Sequence, residues 1–400
     1  MKNLGIVTNW GPSGAYEVSK KYIEALHEEY NLHIYVRGNY LRKISHGPDI
    51  KVHCKSFTTD SILLDESQLD LFLFERWIKK NNIGLVLFNE QRTYAVFGLC
   101  RRLGVKIVLY LDYYTAESLQ NLHLCDMLLC HTKRHVKACD LHNLKSTYIP
   151  WVPSRSKIGD KKIGQRNYDF GHSAGVGGPD DRKGTWHFID LARQNKEKSF
   201  LLHIQPEHPH LHRIFECLPD NCVLKIGHEV VEELYENIRC YVYPSKLEGL
   251  GLTLYEAIFN NLFVITTDNP PMNELGTLFP TKVYVSKVDY HYCRSDGYFW
   301  PCSVPCGVGL NQVLQHYEQV NLSQEPTLSE IDFNQYDKQF KFNLISLVQN
   351  VLNSPVKFNV STELASDSFL SVSARLAKLA ARQFVKGTYG FIKNIVKGVA

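Results

Sequence analysis

Leu4 to Thr8 is a short apolar run with β-branched members; it stops at Asn9-Trp10-Gly11-Pro12-Ser13-Gly14, and apolar residues then return at Val18, Tyr22, Ile23 and Leu26. Steps of three and four are the helical period, so this stretch predicts a strand, a glycine loop and a helix. The alternation recurs. Strands are expected at 32–36, 84–88, 106–111 and 127–131, helices at 69–79, 96–103 and 135–141, and an extended piece at 147–153. Pro150 and Pro153, followed by the polar tract 154–166, interrupt both periods and predict a linker. The pattern then restarts, with strands at 168–172, 199–204, 223–226, 240–243 and 263–267 alternating with helices at 186–194, 211–217, 231–238 and 252–260. Runs this apolar suit parallel strands buried on both faces. The expected fold class is therefore α/β, with two Rossmann-like, doubly wound parallel sheets facing a cleft. Residues 1–153 form the first domain and 154–345 the second, followed by C-terminal helices and a basic tail at 346–400.

Length agrees with two domains, since 400 residues exceed the ~250–300 at which single cores stop growing. A composition of 44% hydrophobic and 22% charged residues is that of a globular chain that can fill two cores. The net charge of +4 is uneven: residues 371–400 carry six basic residues and no acid, which leaves −2 for everything before them. A near-neutral body lacks the basic stripe of a nucleic-acid protein. No apolar run reaches the ~7–15 residues of a signal peptide or the ~20 of a membrane span. The eleven cysteines are then expected as reduced thiols in a cytoplasmic protein.

The tail has its own pattern. Phe369, Val372, Leu376, Leu379, Ile392, Ile395 and Val399 recur at helical spacing, and Arg375, Lys378, Arg382 and Lys386 line another face. This suits a basic amphipathic helix on an anionic membrane surface, with 369–400 as the contact. A helix packed back on the first domain suits it equally.

Chemistry concentrates in Tyr243-Pro-Ser-Lys-Leu-Glu248-Gly-Leu-Gly251-Leu-Thr-Leu-Tyr-Glu256-Ala. A strand ends, a glycine loop exposes backbone N–H groups, and a helix starts near Leu252. That is an anion site, and both carboxylates can face the same ligand. A second loop, His172 to Gly184, follows the first strand of the second domain and holds Arg182 and Lys183 before a helix. It is not a Walker A loop, because Lys183 precedes glycine and is not followed by Ser or Thr.

The first segment resembles the E-x7-E signature of retaining GT-B glycosyltransferases, glycosyltransferase family 4 in particular, through its Pro-Ser, Glu-Gly-x-Gly-Leu, Glu-Ala and following Val-Ile-Thr-Thr. The resemblance covers Leu4 to about Glu274. It implies a retaining, metal-independent sugar transfer from a nucleotide diphosphate sugar to a glycan or glycolipid hydroxyl, with no cofactor and no nucleic-acid partner. Glu256 would hold the ribose hydroxyls, while Glu248, Gly249, Leu250, Gly251 and Leu252 would line the sugar and diphosphate. Lys183, with Arg182, would neutralise the leaving phosphate, and Gly14 in the first loop would let the donor approach the first domain. A nucleotide-sugar epimerase and a degenerate non-catalytic binding subunit share the fold.

On the acceptor side, Asp112 ends a strand near where many relatives have histidine; it could orient or deprotonate the acceptor, or simply cap the next segment. Glu90 ends another strand and could bind acceptor hydroxyls. His131 and His135 are four apart but lack the zincin glutamate. His208, His210 and His212, and likewise Cys293, Cys302 and Cys306, lack the paired short spacing of a structural zinc site. The aromatic, cysteine-rich stretch 285–310 departs from the family and suggests no role.

Overall fold

The computed structural model describes residues 1–11, 13–37, 53–60, 69–91, 95–157, 166–177, 179–227, 231–294, 298–321 and 332–355. The basic tail at 369–400 lies outside them, as does most of the polar half of the expected linker. The first sheet holds β1 Lys2–Thr8, β2 Tyr30–Val36, β3 Cys54–Thr59, β4 Leu85–Asn89, β5 Lys106–Tyr110, β6 Met127–Cys130 and β7 Ser146–Tyr148, in the order β3-β2-β1-β4-β5-β6-β7. The second holds β8 Tyr168–Gly175, β9 Phe200–Ile204, β10 Cys222–Ile226, β11 Ile238–Tyr243, β12 Phe263–Thr267 and β13 Val283–Ser286, in the order β10-β9-β8-β11-β12-β13. All pairings in both are parallel.

Strand periodicity builds the layers. Successive side chains point to opposite faces, so Leu4 and Ile6 of β1 enter one core while Val7 enters the other. Gly5 faces Trp77, whose ring tip stands 2.5 Å from where a Cβ would lie, so only glycine admits that ring against the sheet. The first of these cores continues through Trp151 and Val152 into Tyr241, Tyr243, Leu254 and Ile258 of the second domain. The expected linker is thus anchored at its start. Trp151 is 2% exposed and packs edge-on against Tyr22 and His131.

Strand order reverses between β1 and β4 in one sheet and between β8 and β11 in the other. Ligands of open α/β sheets bind beyond the carboxyl ends at such switch points. Four loops are therefore singled out: those after Thr8, Asn89, Gly175 and Tyr243.

Periodicity does not predict the edge strands β3 and β13 or the short helices Ala116–Asn121 and Glu274–Leu278, nor three larger elements near the C-terminal side. An antiparallel hairpin, β14 Val288–Tyr292 with β15 Cys302–Pro305, leaves the second sheet. A helix at Gly307–Asn321 follows and covers the second sheet's outer core through Leu310, Leu314 and Tyr317. The helix Phe333–Asn353 then crosses back to pack on the helix Gly14–Leu26, so residue 345 falls inside one continuous helix. Its Phe340 lies against His131 and Trp151, and Lys21, 3% exposed, pairs with its Asp337. A buried cation of this kind persists only with a partner. Among the described residues no helix is long and apolar enough to cross a membrane.

Phe340 is 2% exposed and Phe342, two residues on, 64%. Phe340→Ala should lower stability by about 3 kcal/mol through transfer and cavity costs, and Phe342→Ala by under about 0.5 kcal/mol. Urea denaturation of the two variants measures the difference.

Candidate active site

The loops after β8 and β11 lock together around one carboxylate. Glu248, 5% exposed, accepts at Oε1 from Arg182 Nη1 at 2.7 Å, Lys183 Nζ at 3.0 Å, the Tyr243 hydroxyl at 2.8 Å and Ser245 Oγ at 2.8 Å. Burial opposes ionisation of this group, but Arg182, Lys183 and the Tyr243 hydroxyl outweigh it and hold the carboxyl at about 2. Burial, reinforced by Arg182, pushes the Lys183 ammonium down to about 8 against the pull of Glu248. Lys183 also donates to the Tyr243 hydroxyl. Two cations on one carboxylate leave a surplus positive charge beside the glycine loop.

The backbone explains why these residue types stand there. Gly184 caps the helix Thr185–Gln194 at φ +71°, and a Cβ on it would lie 2.0 Å from the Pro244 carbonyl oxygen. Gly251 caps the helix Leu252–Phe259 in the same left-handed conformation at φ +76°. Only glycine takes both the torsion and the close approach at Gly184. Lys246 N donates to the Arg182 carbonyl at 2.8 Å, fixing the two loops in register. Glu256, 8% exposed, sits in the second turn of its helix and accepts from the Tyr235 hydroxyl at 3.2 Å.

The first domain supplies the opposite wall. Gly14 begins its helix after the Ser13 cap, and a Cβ there would touch Leu252 at 3.3 Å. Asp112, two residues past β5, accepts from the Tyr110 hydroxyl at 2.5 Å. Burial and the neighbouring Glu90 raise its carboxyl to about 7, although Tyr110 and Arg134 pull the other way. Glu90 follows β4 at φ +56°, and Arg37, 1% exposed, holds the Asn89 and Glu90 carbonyls at 2.6 and 2.8 Å. The structure therefore brings Gly14, Asp112, Arg182, Lys183, Glu248 to Leu252 and Glu256 to the mouths of the switch points.

Sequence reasoning missed Arg134. It lies in the first turn of the helix Lys133–Leu141, 4% exposed, and donates across the cleft to the carbonyls of Glu248 at 2.5 Å, Gly249 at 3.0 Å and Pro270 at 2.7 Å. A readable signal existed: Lys133 and Arg134 put two cations at a helix N-terminus, where the dipole disfavours them. Glu274 answers both, accepting from Lys133 N and Arg134 N at 2.7 Å each. The hairpin is the other omission. Phe299 N donates to the Tyr114 carbonyl at 2.8 Å, Tyr298 stacks obliquely on Tyr113, and Trp300 lies near Arg134 and Asp112 in a small pocket.

The histidines and cysteines do other work. His131 ends its strand region ahead of the Thr132 cap, so its spacing to His135 is not helical; it bonds Tyr22 at 2.6 Å and the Ile149 carbonyl at 2.7 Å, and burial lowers it to about 4. His208 is buried against Gly177 and His212 is exposed beside Glu216. All eleven cysteines are free thiols. Among the described residues no cluster of three or more His, Cys, Asp or Glu could hold a metal ion.

Residues 218–287, which include both glutamates, match the family model described as Glycosyl transferases group 1. The whole chain resembles solved glycosyltransferases with two such domains. A glycosyltransferase from Rickettsia africae superposes with a TM-score of 0.65 at 13% identity, over 88% of this chain and 99% of that one. Sucrose-phosphate synthase from Thermosynechococcus elongatus gives 0.61 at 14% identity, over 95% and 100%. The fold is GT-B. HepE of Anabaena, solved with UDP and glucose, gives 0.55 at 12% identity, over 94% and 100%. No curated protein matches the sequence. In this GT-B chain the matched segment is the half of the cleft that carries Glu248 and Glu256.

The cleft walls touch at Gly249, where a Cβ would fall 2.1 Å from Asp112 Oδ2. Gly249→Ala should therefore destabilise the chain by about 1–3 kcal/mol through overpacking. In an Asp112→Ala background most of that cost should vanish. A double-mutant cycle in urea reads the coupling, and additive costs would place the strain elsewhere.

Proposed function

We propose that this chain is a retaining, metal-independent glycosyltransferase that moves a sugar from a nucleotide diphosphate sugar to a hydroxyl of a glycan or glycolipid. The observation that carries the reading is the convergence of Glu248, Glu256, Arg182 and Lys183 at the carboxyl ends of the second sheet's switch-point strands, facing Asp112 across the cleft. Arg182 and Lys183 neutralise the departing diphosphate, assisted by the N-terminus of the helix Leu252–Phe259. Glu256 takes the ribose hydroxyls. Glu248, ionised between two cations, is a poor nucleophile, which favours attack on the face the phosphate leaves. The leaving phosphate then accepts the acceptor proton or passes it to Asp112. The HepE neighbour's UDP makes a uridine nucleotide the first donor to test.

A thermal-shift screen of UDP, GDP, ADP, CMP and TDP sugars identifies the donor, because binding to the folded state raises Tm. With that donor, Glu256→Gln should fold normally and lose donor affinity, and Lys183→Ala should lower kcat by about 10². Activity unchanged in both would remove the site from this cleft.

Asp112 acts as a base only when ionised, and its carboxyl is raised to about 7. Rate should therefore climb with pH up to about 7 and fall again above about 8, where Lys183 loses its proton. In Asp112→Asn that rising limb should disappear along with most of the activity; a limb that survives belongs to another group.

A further inference from the structure

Arg134 holds two consecutive carbonyls of the glycine turn, those of Glu248 and Gly249, with one guanidinium nitrogen. The peptide bonds that follow these carbonyls are trans. In a planar trans peptide the N–H points opposite to the C=O. Fixing the two carbonyls toward Arg134 therefore fixes the Gly249 and Leu250 N–H groups toward the other side of the turn. Neither N–H has an acceptor among the described residues. Two successive free N–H groups ahead of a helix N-terminus form a concave anion receptor.

Arg134 is itself held from the second domain. Both oxygens of Glu274 accept from the backbone at Lys133 and Arg134, and the Pro270 carbonyl takes Nη1. Its two terminal nitrogens are committed to carbonyls, so it reaches the ligand through the turn.

Resting on the donor-site reading above, we infer that Arg134 is a positioning residue: through the Glu248 and Gly249 carbonyls it orients the Gly249 and Leu250 N–H groups onto the β-phosphate and sugar end of the donor. The ligand chemistry is a nucleoside diphosphate. The ribose end, held at Glu256, is independent of it.

The test compares diphosphate with monophosphate. Isothermal titration of the full chain uses UDP with UMP, GDP with GMP and ADP with AMP, and the pair bound tightest by the wild type is carried forward. Arg134→Lys keeps the charge but loses the planar fork. It should cut the diphosphate-to-monophosphate affinity ratio about tenfold, in line with loss of charge-assisted hydrogen bonding, and leave monophosphate affinity in place. Glu274→Gln, which releases one of the two helix N–H groups, should lower the ratio in the same direction and serves if the arginine variant does not fold. An unchanged ratio in the variants, or an equal fall for both nucleotides, would overturn the positioning role. A wild type that binds none of the three diphosphates would instead overturn the donor-site reading itself.

Discussion

One buried carboxylate organises the cleft. Taking Glu248 out of water costs several kcal/mol unless its charge is matched, and the chain matches it with Arg182 and Lys183 from one loop and Tyr243 and Ser245 from another. Because these partners leave β8 and β11, the strands on either side of the order reversal, satisfying Glu248 pins the two loops at the switch point. The left-handed glycines at 184 and 251 follow from that constraint. Each lets a helix begin where its N-terminus faces the same spot.

The two walls differ in electrical character. The second-domain wall sets the cations Arg182 and Lys183 against Glu248. The first-domain wall carries Asp112 and Glu90, close enough that Glu90 resists the ionisation of Asp112. A carboxyl raised toward neutrality on one side and a carboxylate held at about 2 on the other is the separation that lets two acids in one cleft take different roles. The fold supplies the facing geometry, and the residues at the strand ends supply the chemistry.

Much of this was legible in the sequence because the governing interactions are local. Hydrophobic period gave most strands and helices of both sheets, though not the edge strands β3 and β13, and the glycines with Glu248 and Glu256 lie within one strand-loop-helix unit. What escaped was set by distance. Arg37 and Arg134 act on carbonyls 52 to 136 residues away, and nothing in their own neighbourhood reveals the partner, apart from the misplaced cations at the start of the helix Lys133–Leu141. The hairpin Val288–Pro305 escaped because its tip is stabilised by Tyr113 and Tyr114 of the other domain. His131 and His135, set aside as a metal pair for lack of the zincin glutamate, show the converse: Thr132 between them ends one element and caps the next, so sequence spacing does not correspond to a shared face.

The helix Phe333–Asn353 crosses back to cover the groove formed by Tyr22, His131 and Trp151. During synthesis the ribosome delivers that cover ~180 residues after the first domain is otherwise complete, an interval of roughly 10–35 s at ~5–20 residues/s. The nascent first half thus emerges with an open aromatic furrow and a lysine awaiting its counter-ion. The first domain's core is completed only when this distant helix closes over it.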